Sequence, residues 1–150
     1  MAYRGISLRL KGDKHMKIKF RDKKHIELYQ EWTARARCGN DPEYCALFYL
    51  ISLDAVAREH INDLFDFKDH RIKRDGALEH PWITSTSAAT VRLAFNLFNF
   101  ANHTDRDENG EPLPNSADKY TPCLIFCQGR EYARYYVEAL QMRLEDNFMD

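Results

Sequence analysis

Eight consecutive apolar residues, Tyr44-Cys45-Ala46-Leu47-Phe48-Tyr49-Leu50-Ile51, follow directly on Asp41-Pro42-Glu43. A capping Asp, a Pro whose missing N–H costs nothing at the first helical position, and an acid facing the positive end of the helix dipole all start a helix there. A helix that is apolar on every face leaves no side for water, so this one is expected to be central and surrounded. It is too short for a bilayer, which takes about 20 apolar residues. No other apolar run in the chain is longer, so no membrane association is expected. A chain of 150 residues has room for one core. Its 44% hydrophobic and 30% charged residues exclude collagen-like, mucin-like and wholly disordered classes. The basic N-terminus carries no apolar core of a signal peptide, so the expected location is the cytoplasm.

The elements around that helix are read from periodicity and punctuation. Asp22 caps a helix from Lys23 to about Arg37, with His25, Leu28, Tyr29, Trp32 and Ala36 on one face and Gly39-Asn40 ending it. Ser52 or Asp54 caps the next helix, expected to run to about Phe67 with Val56, His60, Ile61, Leu64 and Phe65 or Phe67 buried. A charged connection, 68–81, contains the turn signal Asp75-Gly76 and a short strand candidate at 71–73. Thr84-Ser85-Thr86-Ser87, four residues that can each cap, lead into a helix from about Ser87 to Phe100, with Val91, Leu93, Ala94, Phe95, Leu97, Phe98 and Phe100 expected mostly inside. A polar loop spans about 103–119, with a tight turn at Asn109-Gly110. Thr121-Pro122 restarts helix, Gly129 splits it, and a last helix covers about 130–146. The expected fold is mainly α: a compact single-domain bundle of about five or six helices, with a small two-stranded β element near 17–20 and 71–73. Its core is built on Leu47, Phe48, Leu50, Ile61, Leu64, Leu93, Phe95, Leu97 and Phe98.

Charge is uneven. Residues 1–37 carry 11 Lys/Arg against 4 Asp/Glu, and 38–150 carry 11 against 19. A basic segment docks on phosphates or pairs with acidic parts of its own chain, and the second use is the commoner. Met16-Lys17-Ile18-Lys19-Phe20 reads as a plausible native start, and the codons for Lys11-Gly12-Asp13 can spell a bacterial ribosome-binding sequence at the usual distance before it. Residues 1–15 are therefore read as an N-terminal extension or an over-called start, and 16–150 as the domain. Cys38, Cys45, Cys123 and Cys127 have neither zinc-ribbon nor redox C-x-x-C spacing, so buried reduced thiols are expected.

Three constellations bear on function. His60 and Asp63 stand at i, i+3 with Asp66 a turn further, a spacing that lets one helix offer metal ligands. No second such pair completes the set, so packing is the first reading. Trp82, Thr84 and Ser85 open a helix whose free N–H groups and dipole favour an anion, with Arg74 upstream or Arg92 downstream as counter-charge, although plain N-capping beside a buried Trp is the commoner use of such a cluster. Lys17, Lys19, Arg21, Lys23, Lys24, Arg35 and Arg37 form the basic segment. No nucleophile elbow, paired-carboxylate motif or dinucleotide fingerprint occurs.

The runs Ala46-Leu47-Phe48-Tyr49-Leu50, Ile61-Asn62-Asp63-Leu64-Phe65-Asp66-Phe67, Trp82-Ile83-Thr84-Ser85-Thr86-Ser87 and Arg92-Leu93-Ala94-Phe95-Asn96-Leu97-Phe98-Asn99 resemble a family of small uncharacterised proteins of Firmicutes bacteria, their phages and mobile elements. The resemblance covers about 16–146 and is loose at the C-terminus. It implies a mainly helical accessory protein and transfers no catalytic residue. The expectation is a non-enzymatic binding or inhibitory protein without cofactor, acting on a protein partner rather than nucleic acid. The alternatives are a metal-dependent hydrolase or nuclease using His60, Asp63 and Asp66, and a nucleic-acid-binding regulator using segment 17–37.

Overall fold

The computed structural model describes residues 3–10, 14–102, 107–111, 113 and 116–148. Its elements are strands β1 (Tyr3–Leu10) and β2 (Lys14–Phe20), helices α1 (Lys23–Ala36), α2 (Pro42–Leu53) and α3 (Ile61–Leu64), strands β3 (Phe65–Asp66) and β4 (Arg71–Ile72), and helices α4 (Ser85–Asn99), α5 (Pro122–Gln128) and α6 (Ala133–Phe148). The fold is mainly α, as the periodicity predicts.

Helix α2 is the axle. Cys45 to Leu53 are all buried, and α1, α4 and α6 pack around it. Asp41 caps it by accepting the Glu43 N–H at 3.1 Å. Helix α1 is capped by Asp22, which accepts the His25 N–H at 2.7 Å. It stops at Arg37 rather than at Gly39: Arg37 takes the left-handed conformation (φ 52°), and the Cys38 N–H reaches back to Thr33 O at 3.3 Å. Gly39 is left-handed as well (φ 58°), so the corner into α2 is two tight bends in succession.

The β element differs from the expected pairing. β2 runs antiparallel to β1, and β4 to β3, so segments 17–20 and 71–72 belong to two separate hairpins. β2 turns Ile18 and Phe20 fully inside and Lys17 and Lys19 outward. Its backbone is held from the other side. The Lys19 N–H donates to Glu138 Oε1 on α6 at 3.2 Å, and the Tyr49 hydroxyl donates to Lys19 O at 2.6 Å.

The helix expected from Asp54 to Phe67 is broken. Asp54 does cap a turn, accepting the Val56 and Ala57 N–H groups at 2.9 Å each. A 3-10 turn (57–60) and the single-turn α3 follow, and Phe65 is already extended (φ −140°). Phe65 and Phe67 both lie against Phe48, at ring-centroid distances of 5.0 and 5.7 Å. Residues two apart share a face in a strand and oppose each other in a helix. Burying both rings on Phe48 therefore requires strand.

Every expected core residue is buried except Phe98, which is half-buried. Phe100, expected near the core, is 76% exposed, because α4 ends there in a left-handed residue (φ 64°) that turns the chain outward. Cys123 and Cys127, expected inside, are exposed on α5, whose buried side carries Ile125. Gly129 does split α5 from the last helix. A Cβ there would sit 2.1 Å from the Tyr136 hydroxyl oxygen, so only glycine admits that side chain. Gly110 is left-handed (φ 79°) in the Asn109-Gly110 turn, while residues 103–106, 112, 114 and 115 of the loop lie outside the described residues, as do 1, 2 and 11–13 of the N-terminal segment.

Candidate functional site

The ends of three short elements meet at Trp82. The connection 80–84 carries His80 and Trp82, and the 57–60 turn with α3 carries His60 and Asp63. The His60 ring lies flat on the indole, with centroids 4.4 Å apart and planes within 2°. His80 lies 5.7 Å from the indole, within 12° of parallel. The Trp82 Nε1–H donates to Asp63 Oδ2 at 3.0 Å, and His60 Nδ1 stands 3.6 Å from that same oxygen. Trp82 packs on the core with one part and keeps another in solvent. Two constellations that look independent in the sequence, His60/Asp63 and Trp82, thus form one cluster.

Asp66 is not in it. Its Oδ1 accepts the Lys68 and Asp69 N–H groups at 2.9 and 3.0 Å and closes the β3–β4 turn. The Asp69 N–H, then the Lys68 N–H with Lys73 and Arg71 nearby, hold this carboxyl below the usual carboxylate range. His60, Asp63 and Asp66 are therefore not assembled around one point. Among the described residues no group of three or more His, Cys, Asp or Glu could hold a metal ion.

Thr84 caps α4. Its Oγ1 accepts the Ser87 N–H at 3.0 Å and donates to Ser87 Oγ at 2.9 Å. Ser87 Oγ in turn donates to the buried Asp54 Oδ1 at 3.1 Å. The Thr84 hydroxyl is thus tied to the start of the helix. Ser85 is exposed and lines a groove of about 520 Å³ with Ile83, Leu78, Arg92, Lys119 and Gln128. Arg92, 7% exposed, donates to Gln128 Oε1 at 3.3 Å. Arg74 is elsewhere: it lines a second groove of about 620 Å³ with Asp66, Arg71 and Lys73, and its Nε is 3.9 Å from Asp75 Oδ1. The charged groups in the groove with Ser85 are Arg92, two turns further along the same helix, Lys119 and Glu79. Lys119 and Gln128 carry no sequence signal for this place, because the turn that brings α5 onto α4 delivers them.

The basic segment is partly spent on the fold. Arg21 pairs with Asp22 at 2.9 Å and donates to the Tyr132 hydroxyl at 3.1 Å. The Arg35 guanidinium lies 4.1 Å over the Phe67 ring, and Lys23 is 3.7 Å from Glu27. Lys17, Lys19, Lys24 and Arg37 are exposed.

Fold and site together define a mainly α domain whose most elaborated surface is an aromatic and hydroxyl cluster at one helix start. No helix among the described residues is long and apolar enough to cross a membrane. The chain belongs to the family of unknown function DUF6075, whose model matches residues 15–150. No curated protein and no solved structure matches it.

Proposed function

We propose that this chain is a non-enzymatic binding protein that captures a partner protein at the surface running from Trp82 into the Ser85 groove. The further reading, that it serves a phage or mobile element in the cytoplasm by acting on a host or element-encoded partner, extends this from the family resemblance. The observation that carries the binding reading is the state of Trp82. A large ring left partly in solvent is held in one orientation by the Asp63 hydrogen bond and the stacked His60. Rigid aromatic side chains of this kind lose little freedom on contact and are favoured at the centres of interfaces. The adjoining groove has apolar walls at Ile83 and Leu78 with Glu79, Arg92 and Lys119 also lining it, which suits an apolar side chain with a polar tip on the partner.

The test places a photo-crosslinking side chain at Ser85 and compares capture of interacting protein by that chain, with and without Trp82→Ala. One discrete partner, lost at least tenfold in Trp82→Ala while the melting temperature stays within a few degrees, is the expected result. Capture indifferent to Trp82, or a Trp82→Ala chain that is unfolded, ends the proposal. In the second case Trp82 is a core plug.

A further inference from the structure

The α1–α2 corner brings two thiols together that the sequence places seven residues apart. Arg37 and Gly39 bend the chain, the Asp41 N–H donates to Cys38 O at 3.0 Å, and the first turn of α2 turns Cys45 back onto Cys38. Both sulfurs converge on one carbonyl. Cys45 Sγ is 3.5 Å from Gly39 O, Cys38 Sγ is 4.0 Å from it, and Cys38 Sγ is also 3.5 Å from Thr33 O. The two sulfurs thus share one acceptor at the inside of the corner. Cys38 is half-exposed and Cys45 is 4% exposed. An accessible sulfur with a buried second one drawn to the same carbonyl is the arrangement of an oxidisable thiol and its resolving partner.

We propose that Cys38 and Cys45 are a reversible dithiol–disulfide pair whose oxidant is a hydroperoxide. Cys38, the more exposed of the two thiols, is the one that meets the peroxide, and it reacts as the thiolate after giving its proton to solvent. Cys38 Sγ attacks the distal peroxide oxygen. The S–O bond forms, the O–O bond breaks, and the alcohol or water leaves with a proton, so that Cys38 becomes a sulfenic acid. Cys45 Sγ then attacks Cys38 Sγ; the S–S bond forms, the S–O bond breaks, and hydroxide departs as water with the Cys45 proton. Two electrons pass from the thiols to the peroxide. A dithiol reductant reverses the bond by two exchanges. The disulfide ties the end of α1 to the start of α2.

One tryptic digest tests this in the wild-type protein, because Cys38 and Cys45 share the peptide 38–58 and Cys123 and Cys127 share 120–130. The folded protein is treated with hydrogen peroxide, then denatured, alkylated and mapped. The expected result is peptide 38–58 lighter by about 2 Da and unalkylated, restored by dithiothreitol. Peptide 120–130 is expected to remain largely alkylated, since its cysteines stand one turn apart on α5. Cys45→Ser should instead leave a sulfenic acid at Cys38 that dimedone traps. Full alkylation of 38–58 after peroxide, gain of oxygen on it without loss of hydrogen, or a link only between chains would overturn the proposal.

Discussion

His25 has both ring nitrogens in use inside the core. Nε2–H donates to Tyr49 O at 2.8 Å, Nδ1 accepts the Arg21 N–H at 3.1 Å, and the ring lies between Phe20 and Tyr49 at 4.9 and 4.7 Å. Only the neutral ring with its proton on Nε2 satisfies both neighbours, because a proton on Nδ1 would face another N–H. Burial, only partly offset by the Tyr49 carbonyl, lowers its pKa from 6.5 to about 4. With the folded value depressed, the unfolded chain binds the proton first. The His25 contribution is whole above about pH 6.5, declines by up to ~1.4 kcal/mol per pH unit as pH falls toward 4, and levels off below. Urea titrations at pH 7.5 and 5 should show this decline, and it should be missing from His25→Phe, which also loses ~1–3 kcal/mol at pH 7.5 by orphaning two backbone groups. A second residue-scale prediction concerns Gly129. Gly129→Ala forces Tyr136 off its 2.6 Å hydrogen bond with Thr90 and should cost ~1–3 kcal/mol by calorimetry. His60→Gln tests the metal reading. Thermal unfolding with Mn²⁺ or Zn²⁺ is expected to be unchanged in both proteins, and a rise in the wild type that the variant loses would restore a metal role.

At the scale of elements, α4 divides what looked in the sequence like one hydroxyl cluster. Thr84 and Ser87 form the cap that joins α4 to Asp54, whereas Ser85 faces the groove. Thr84→Ala should therefore lower stability by about 1–2 kcal/mol, the cost of a lost N-cap, and Ser85→Ala should leave it within ~0.5 kcal/mol, as for a surface substitution away from any special feature. Denaturant midpoints for the pair check this; equal losses would mean that Ser85 shares the cap. The segment 54–67 carries the lesson about legibility. Of its expected stripe, Ile61, Leu64 and Phe65 are buried and fit a helical period, while Val56 and His60 are only half-buried. What the stripe hides is that Phe67 also needs Phe48, and a rigid helix cannot present 65 and 67 to one ring. The caps at Asp22 and Asp41 were legible because they act within three residues of themselves, whereas Thr84 was one of four hydroxyls able to cap α4 and the fold alone singled it out.

Over the whole molecule, α2 is the element that everything else covers, and β1 is the one that the rest needs least. β1 packs chiefly on β2, while β2 itself is fixed by Ile18, Phe20, Glu138 and Tyr49. A chain beginning at Met16 should keep its melting temperature, with stability changed by no more than ~0.5 kcal/mol, the effect of a change outside the core; a loss of several degrees would make β1 part of the cooperative unit. The sequence by itself determined the helical class, the position of α2 at the centre, most helix starts and the part of the core that α2, α4 and the 61–64 stripe supply, because each depends on hydrogen bonds within one turn or on a period within one segment. Contacts between distant segments were decided only in the tertiary structure. It laid His60 on Trp82, carried Arg74 away from Ser85 and brought Lys119 and Gln128 to it, and seated His25 beneath Tyr49. The physical reason is that helix packing fixes which faces meet only once all the helices are present, and no local pattern encodes the side chains of an element a hundred residues away.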